Sequence, residues 1–329
     1  MRLRTFGLSL MFTAAPLLVG CGAHGPEAIR PSATTPPTVV TIARPADGSP
    51  IVAGRLAFAQ QRYRAPVFGF VSGTIVPYAT GLPSLDGSPP VTLALTIYQP
   101  IGDSQATRPL VVWIHGGGFT TGARTEMEGT AIQYAQLGYV TASIDDRLDP
   151  GSHCVLVQAG FYTGQQYITE RARCQTAILT ARDDAATAII WLRAHAAAYG
   201  IDTTKVAVGG ASAGAITAIH VGETLNTPGS APPATVQVAA VLAMSGCNYV
   251  DGSIDSADAP LALLASGGDP LVPFSCVNAT ADAAQAVGTP VVRSFFAAES
   301  AHAQALYATH QPEVDRAWRQ FLIDAFHLS

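Results

Sequence analysis

Charge is scarce in this chain: only 12 % of its 329 residues are Asp, Glu, Lys or Arg, against 48 % hydrophobic. That ratio excludes a solvated, disordered chain, which needs low hydropathy and high charge to stay open. The net charge of −5 excludes the basic footprint of a nucleic-acid binder, and no such partner is expected. No C-x-x-C or H-E-x-x-H spacing occurs, so the sequence implies neither a metal nor a cofactor. Internal repeats are lacking too, and so is an apolar run long enough for a stable membrane span.

The longest apolar stretch, Phe6 to Val19, follows Arg2 and Arg4 and is short and interrupted, as in a secretory signal. It ends Leu18-Val19-Gly20-Cys21, which resembles a bacterial lipoprotein box and implies acylation of Cys21; the alternative is an ordinary signal cleaved a few residues later. A multiply acylated cysteine would hold the protein on a bilayer surface without spanning it. The expected organisation is therefore a signal over residues 1–20, a Pro/Thr/Ala-rich linker over 21–50 and one globular domain over 51–329. Export gives the other four cysteines a disulfide-permissive setting. Three pairings are open, and Cys154–Cys174 with Cys247–Cys276 is favoured because each closes a short loop.

Along the domain, β-type runs alternate with helical ones. Strands are expected at Val91–Tyr98, Leu110–Ile114, Val140–Ile144, Val206–Val208, Val236–Met244, Leu261–Ala265 and Pro290–Phe295. Helices are expected at Gly129–Leu137, Gln175–Ala198, after Ser212, around Ala281–Ala286 and at Val314–Phe326. This alternation implies an α/β fold with a mostly parallel central sheet and helices on both faces. Ligands of such sheets gather at the C-terminal strand ends.

Chemistry concentrates at those ends. "VAVGGASAGAITAIH" (Val206 to His220) reads strand, tight turn, helix, with the G-x-S-x-G pattern at the corner and Ser212 as nucleophile. The competing reading is a serine that caps the helix. "VVWIHGGGFTTG" ends a strand and turns through three glycines, whose N–H groups can converge on one point. The expected oxyanion donors are Gly117, Gly118 and Ala213, with His115 a structural residue of the loop. Asp269, after the Leu261–Ala265 strand, is the expected acid; Asp255 and Asp258 lie in the connection before it. His302, in the loop after the last strand, is the expected base, and His310 competes for that role. His153 and His195 fit less well, and His220 reads as a helix residue. The chain order Ser, Asp, His is the one this architecture requires.

These motifs resemble the α/β-hydrolase family, and within it the bacterial carboxylesterases with an HGGGF oxyanion loop, including the hormone-sensitive-lipase-like and feruloyl-esterase-like groups. The resemblance runs from about Val91 to the C-terminus, and "SIDDRLDP" (Ser143 to Pro150) is similar to the fourth-strand end of the same groups. It implies a Ser212–His302–Asp269 triad and a carboxylesterase acting through an acyl-enzyme on a small-molecule or polymeric ester, with short-acyl or aromatic esters expected. A peptidase or amidase on this fold, or a non-catalytic binding lipoprotein, are the alternatives. Two departures stand out: Ala211 where relatives often carry an acid before the serine, and Asp146 where a tyrosine often precedes the arginine. The segment Gly151–Arg173 exceeds an ordinary connection. Its Phe161, Tyr162 and Tyr167 either line the substrate pocket or pack on the domain.

Overall fold

The computed structural model describes residues 60–69, 71–223, 225, 233–250 and 254–328. The expected signal, the lipidated Cys21 and the linker lie outside these residues.

The described strands are β1 (Val71–Leu82), β2 (Val91–Pro100), β3 (Arg108–Ile114), β4 (Val140–Ile144), β5 (Ile201–Ala211), β6 (Ala240–Met244), β7 (Leu261–Ser266) and β8 (Val291–Phe296). The helices are α1 (Glu128–Gln136), α2 (Cys154–Gln158), α3 (Gly164–Ala194), α4 (Ala196–Tyr199), α5 (Ala213–Glu223), α6 (Phe274–Ala286) and α7 (Ala303–Ala325). The strands form one sheet in the order β1-β2-β4-β3-β5-β6-β7-β8. β2 runs antiparallel to both its neighbours, β1 and β4, and every pairing from β4 to β8 is parallel. This is the α/β-hydrolase fold.

The alternating pleat of β3 explains why helices cover both faces. Leu110, Val112 and Ile114 enter one apolar cluster with Ile189 of α3, Ile219 of α5 and Val277 of α6. The intervening Val111 and Trp113 enter the opposite cluster with Tyr134 of α1 and Trp318 of α7. Period-two side chains that are apolar on both faces require two covered faces, and all seven residues of β3 are buried.

The elements differ from expectation in several places; β6 starts at Ala240 rather than Val236, and α6 at Phe274 rather than around Ala281. β1 is an edge strand whose residues are mostly exposed and whose register shifts between Pro77 and Ala79, so its sequence shows no apolar alternation. β5 is longer than Val206–Val208, starting at Ile201. α3 begins at Gly164, eleven residues before the expected Gln175, so the segment Gly151–Arg173 is largely helical rather than a long loop. α7 begins at Ala303, ahead of Pro312, because two helical pieces meet at the non-helical His310. Pro312 is tolerated where the helix is already broken.

Both favoured disulfides are present. Cys154–Cys174 ties α2 to α3, and Cys247–Cys276 ties the turn after β6 to the first turn of α6. The second closes a 29-residue separation, for which the loss of chain entropy on cross-linking corresponds to about 3 to 4 kcal/mol. Replacing both Cys247 and Cys276 with serine is expected to lower stability by about that amount, read as a lower urea midpoint against the oxidised wild type.

Candidate active site

Three strand ends build the site. At the end of β5 the chain turns at Ser212 with a φ of +56°, a left-handed conformation that a serine adopts only under constraint. A helix-capping serine has extended backbone, so this geometry is that of a forced corner. The corner closes because its flanking residues lack side chains. A Cβ on Gly210 would meet the Gly214 carbonyl and lie 2.8 Å from Ile114 O, and one on Gly214 would strike the carbonyls of Ile114 and His115. The Ser212 N–H donates to Met244 O at 2.8 Å, which fixes the corner to the end of β6.

β3 runs directly into the glycine loop. Gly117 has a φ of +103°, and its carbonyl accepts from the N–H groups of Thr120 and Thr121 at 3.1 and 3.2 Å, curling the loop back on itself. The N–H groups of Gly117, Gly118 and Ala213 have no acceptor among the described residues. Gly116 packs against the corner: a Cβ on the glycine would lie 3.2 Å from Ala211 O and 3.5 Å from Ser212 Cβ. Loop and nucleophile corner are thus one packed unit.

His302 stands at the N-terminus of α7 and Asp269 in the turn after β7. His302 Nδ1 lies 2.8 and 2.9 Å from the two Asp269 carboxylate oxygens. The Asp269 carboxylate also accepts from the backbone N–H of Leu271 and Val272 at 2.9 and 3.0 Å. Burial pushes the Asp269 carboxyl up, yet the hydrogen bonds from His302 and these two amides outweigh it and hold the group below its ordinary value. His302 Nε2 is left buried with no hydrogen-bond partner among the described residues. His302 and Ser212 line the same cavity, of about 610 Å³, together with Gly116, Gly117 and Gly118.

The other histidines sit elsewhere or do other work. His310 stacks on Phe296 at 3.7 Å and approaches Glu299, outside the cavity. His220 is fully buried in α5, accepts from the Tyr249 N–H at 3.3 Å, and has its pKa pushed down to about 3 by burial and the Arg182 charge. His153, set aside on sequence distance, does line the cavity and bonds Glu170 at 2.9 Å. Asp255 and Asp258 hydrogen-bond within their own turn. Val155 and Leu156 of α2 line the cavity, whereas Phe161 and Tyr162 pack edge-on against each other at 5.3 Å. Among the described residues no group of three or more His, Cys, Asp or Glu side chains gathers as a metal site.

Sequence reasoning did not find the residues that hold these parts in place. Ser245 Oγ accepts from the Ala303 N–H at 2.9 Å, and Ser266 Oγ donates to Ala301 O at 2.7 Å, so two buried hydroxyls grip the backbone on either side of His302. Within "SIDDRLDP", Asp145 binds Arg124, Asp146 pairs with His115, Arg147 binds Asp184 of α3, and Asp149 binds Arg173. The Asp149 N–H also donates to Phe119 O at 2.8 Å. For this last stretch the sequence signals were its resemblance to a fourth-strand end and its density of acids.

The His115–Asp146 contact is 2.9 Å between Nε2 and Oδ1, and both side chains are buried. Burial lowers the His115 pKa, but Asp146 and the Gly116 carbonyl overcome it and raise the value to about 9. On its other side the ring meets the glycine loop, with Nδ1 2.8 Å from Gly116 O.

The comparisons agree with the α/β-hydrolase fold. A family model described as BD-FAE matches residues 95–155 and 156–248. Carboxylesterase 3 of Homo sapiens is 30 % identical over 171 residues, 52 % of this chain and 26 % of that protein. Carboxylesterase 3 of Pongo abelii is 33 % identical over 123 residues, 37 % of this chain and 19 % of that protein. The chain thus spans about a fifth to a quarter of the length of these curated relatives. Among solved structures, the native esterase 2 of the planctomycete Thermogutta terrifontis superposes with a TM-score of 0.58 at 20 % identity, over 78 % of this chain and 94 % of that one. The same esterase phosphoramylated by tabun gives 0.59 at 18 % identity, over 78 % and 96 %. At these identities the structural likeness speaks for the fold alone.

The His115 ion pair makes stability depend on pH. Its pKa is raised on folding, so the pair's contribution to stability is fully present below about pH 6.5 and is lost as pH rises through about 9. The urea midpoint of wild type is expected to exceed that of His115→Gln at pH 6, with the gap narrowing towards pH 9.5.

Proposed function

We propose that the protein is a serine carboxylesterase in which Ser212 attacks the ester carbonyl, His302 transfers the proton, and Asp269 orients His302. The single observation that carries this reading is the free, buried Nε2 of His302 in the cavity that holds Ser212, with Nδ1 committed to Asp269. Serine needs a base to become nucleophilic at neutral pH, and the base needs a carboxylate to fix its tautomer and stabilise the imidazolium. The N–H groups of Gly117, Gly118 and Ala213 act as oxyanion donors, at no cost in existing hydrogen bonds. Departure of the alcohol leaves an acyl-enzyme, and water activated by His302 releases the acid.

The matched BD-FAE model and the carboxylesterase relatives support an ester over an amide substrate. Short acyl groups fit this reading, since the Thermogutta terrifontis esterase has been solved with propionate and with butyrate bound. A fluorophosphonate probe is expected to label wild type and leave Ser212→Ala unlabelled. Asp269→Asn is expected to keep the fold and lose about 10⁴-fold in turnover of p-nitrophenyl esters, because the imidazole then settles in the wrong tautomer. Labelling that survives Ser212→Ala would overturn the assignment.

We infer in addition that the protein is exported and acylated at Cys21. The two disulfides support an oxidising compartment. Incorporation of a labelled fatty acid during expression in a bacterium is expected for wild type and absent for Cys21→Ser, and equal incorporation in both would refute the anchor.

A further inference from the structure

The last turns of α7 carry positive charge that the rest of the fold leaves unused. Arg64, Arg316 and Arg319 line one hollow of about 280 Å³ with Pro312, Gln320 and Ile323. Three of the chain's 18 lysines and arginines thus share one small space, in a protein whose net charge is −5. A single carboxylate answers them: Arg319 Nη2 donates to Asp315 Oδ2 at 2.6 Å, while its Nη1 donates to Arg64 O at 3.1 Å. The Arg64 guanidinium reaches only the amide oxygen of Gln320, at 3.4 Å, and Arg316 makes no hydrogen bond or ion pair among the described residues. Glu313 and Asp324 are the other acids on this stretch of α7; neither lines the hollow, and Asp324 accepts from Gln320 Nε2. Gathering like charges costs free energy, and an anion in the hollow would offset it. One guanidinium fork satisfies a carboxylate, whereas a tetrahedral phosphate offers oxygens to several forks at once, which suits three arginines from two chain segments.

The hollow lies at the end of the domain away from the nucleophile. α7 starts beside His302, and at a rise of 1.5 Å per residue Arg319 is roughly 20 Å further along. Beyond it Phe326 packs on Tyr139, the residue before β4, and Arg62 and Tyr63 donate to the carbonyls of Gly138 and Leu137. These contacts sit at the N-terminal end of β4, whereas Ser212 stands at the C-terminal end of β5, a parallel strand of the same sheet. An occupant of the hollow therefore takes no part in the reaction. The same face receives the N-terminal part of the chain, since Arg64 comes four residues after Gln60, where the described residues begin.

We propose that Arg64, Arg316 and Arg319 form a phosphate site that takes the headgroup phosphate of an anionic phospholipid, docking this face on a bilayer with the catalytic edge turned outward. The site is independent of the esterase reading and draws on the acylation reading only for the bilayer. Screening reconciles it with a negative protein: at physiological salt, exposed charges more than about 8 Å away contribute little, so the local arginines outweigh distant acids. Each Lys or Arg close to an anionic membrane surface strengthens attachment about fivefold.

The test is partitioning of the purified full chain carrying Cys21→Ser, so that no acyl group contributes, onto vesicles of phosphatidylcholine alone or mixed with phosphatidylglycerol. At low salt the mixed vesicles are expected to bind the chain about tenfold or more better. That preference is expected to fall about tenfold or more when Arg64→Gln is combined with Arg316→Gln, two exposed side chains. It is expected to survive Arg171→Gln with Arg293→Gln, which removes the same charge elsewhere. A urea midpoint equal to that of the parent chain checks the fold of each variant. Equal partitioning onto both vesicles overturns the proposal, as does a preference that the first pair leaves unchanged or that the control pair lowers as much. Binding of inorganic phosphate, read by calorimetry, without a preference for the mixed vesicles assigns the hollow to a free anion and overturns the lipid docking. Failure of the acylation reading is seen separately, in fatty-acid incorporation into wild type.

Discussion

The whole site hangs on the left-handed backbone of Ser212. Holding a serine at a φ of +56° costs on the order of 1 to 3 kcal/mol, which the surroundings must outweigh. They do so from three sides. α5 is buried along its entire length beneath the serine, the carbonyls of Ile114 and His115 press on Gly214, and Met244 O holds the serine's own N–H. Relaxing the corner would mean moving β3, β5 and β6 together, and those strands are the centre of the sheet. Because the end of β3 both packs against the corner and becomes the glycine loop, the N–H groups of Gly117 and Gly118 are positioned by the contact that forces the strain.

His302 is held by a second set of anchors, at the ends of β6 and β7. Ser245, the residue after β6, and Ser266, the last residue of β7, bond the backbone on either side of His302, and Asp269 follows β7 by three residues. Ser245 itself has a φ of +55°, so β5 and β6 both end in a left-handed turn. A parallel sheet makes this economy possible: adjacent strands finish at the same edge, and each contributes one constraint to a common point. Asp269 fixes the ring of His302 while the two serines fix its backbone, which separates orientation from position.

What could be read in the sequence is what depends on neighbours in the chain. The glycines around Ser212, the run His115–Phe119 and the Gly267-Gly268 turn before Asp269 each pair a residue type with a local backbone demand, and the structure brings Ser212, Asp269 and His302 together at one edge. The anchoring roles of Ser245, Ser266 and Asp146 escaped notice because their partners lie 58, 35 and 31 residues away, where nothing local marks a serine or an acid as an anchor. β1 escaped because an edge strand with mostly exposed residues has no alternation to betray it. The early turns of α3 escaped for a related reason: Gly164 to Arg173 is polar nearly all round, and its helical state rests on the disulfide and on the Arg173–Asp149 pair. His153 was dismissed as distant, yet α2, bridged to α3, carries it to the cavity wall.

The floor beneath Ser212 is part of the core. Ala213 and Ile216 lie in the first turn of α5 and pack in one buried cluster with Phe119, the end of the glycine loop, itself at a φ of +66°. The bridged Cys154 and Cys174 belong to the same cluster. A core of this kind yields little to added volume and settles only partly around lost volume, so a change of size at Phe119 or Ile216 is transmitted to the strained corner they support.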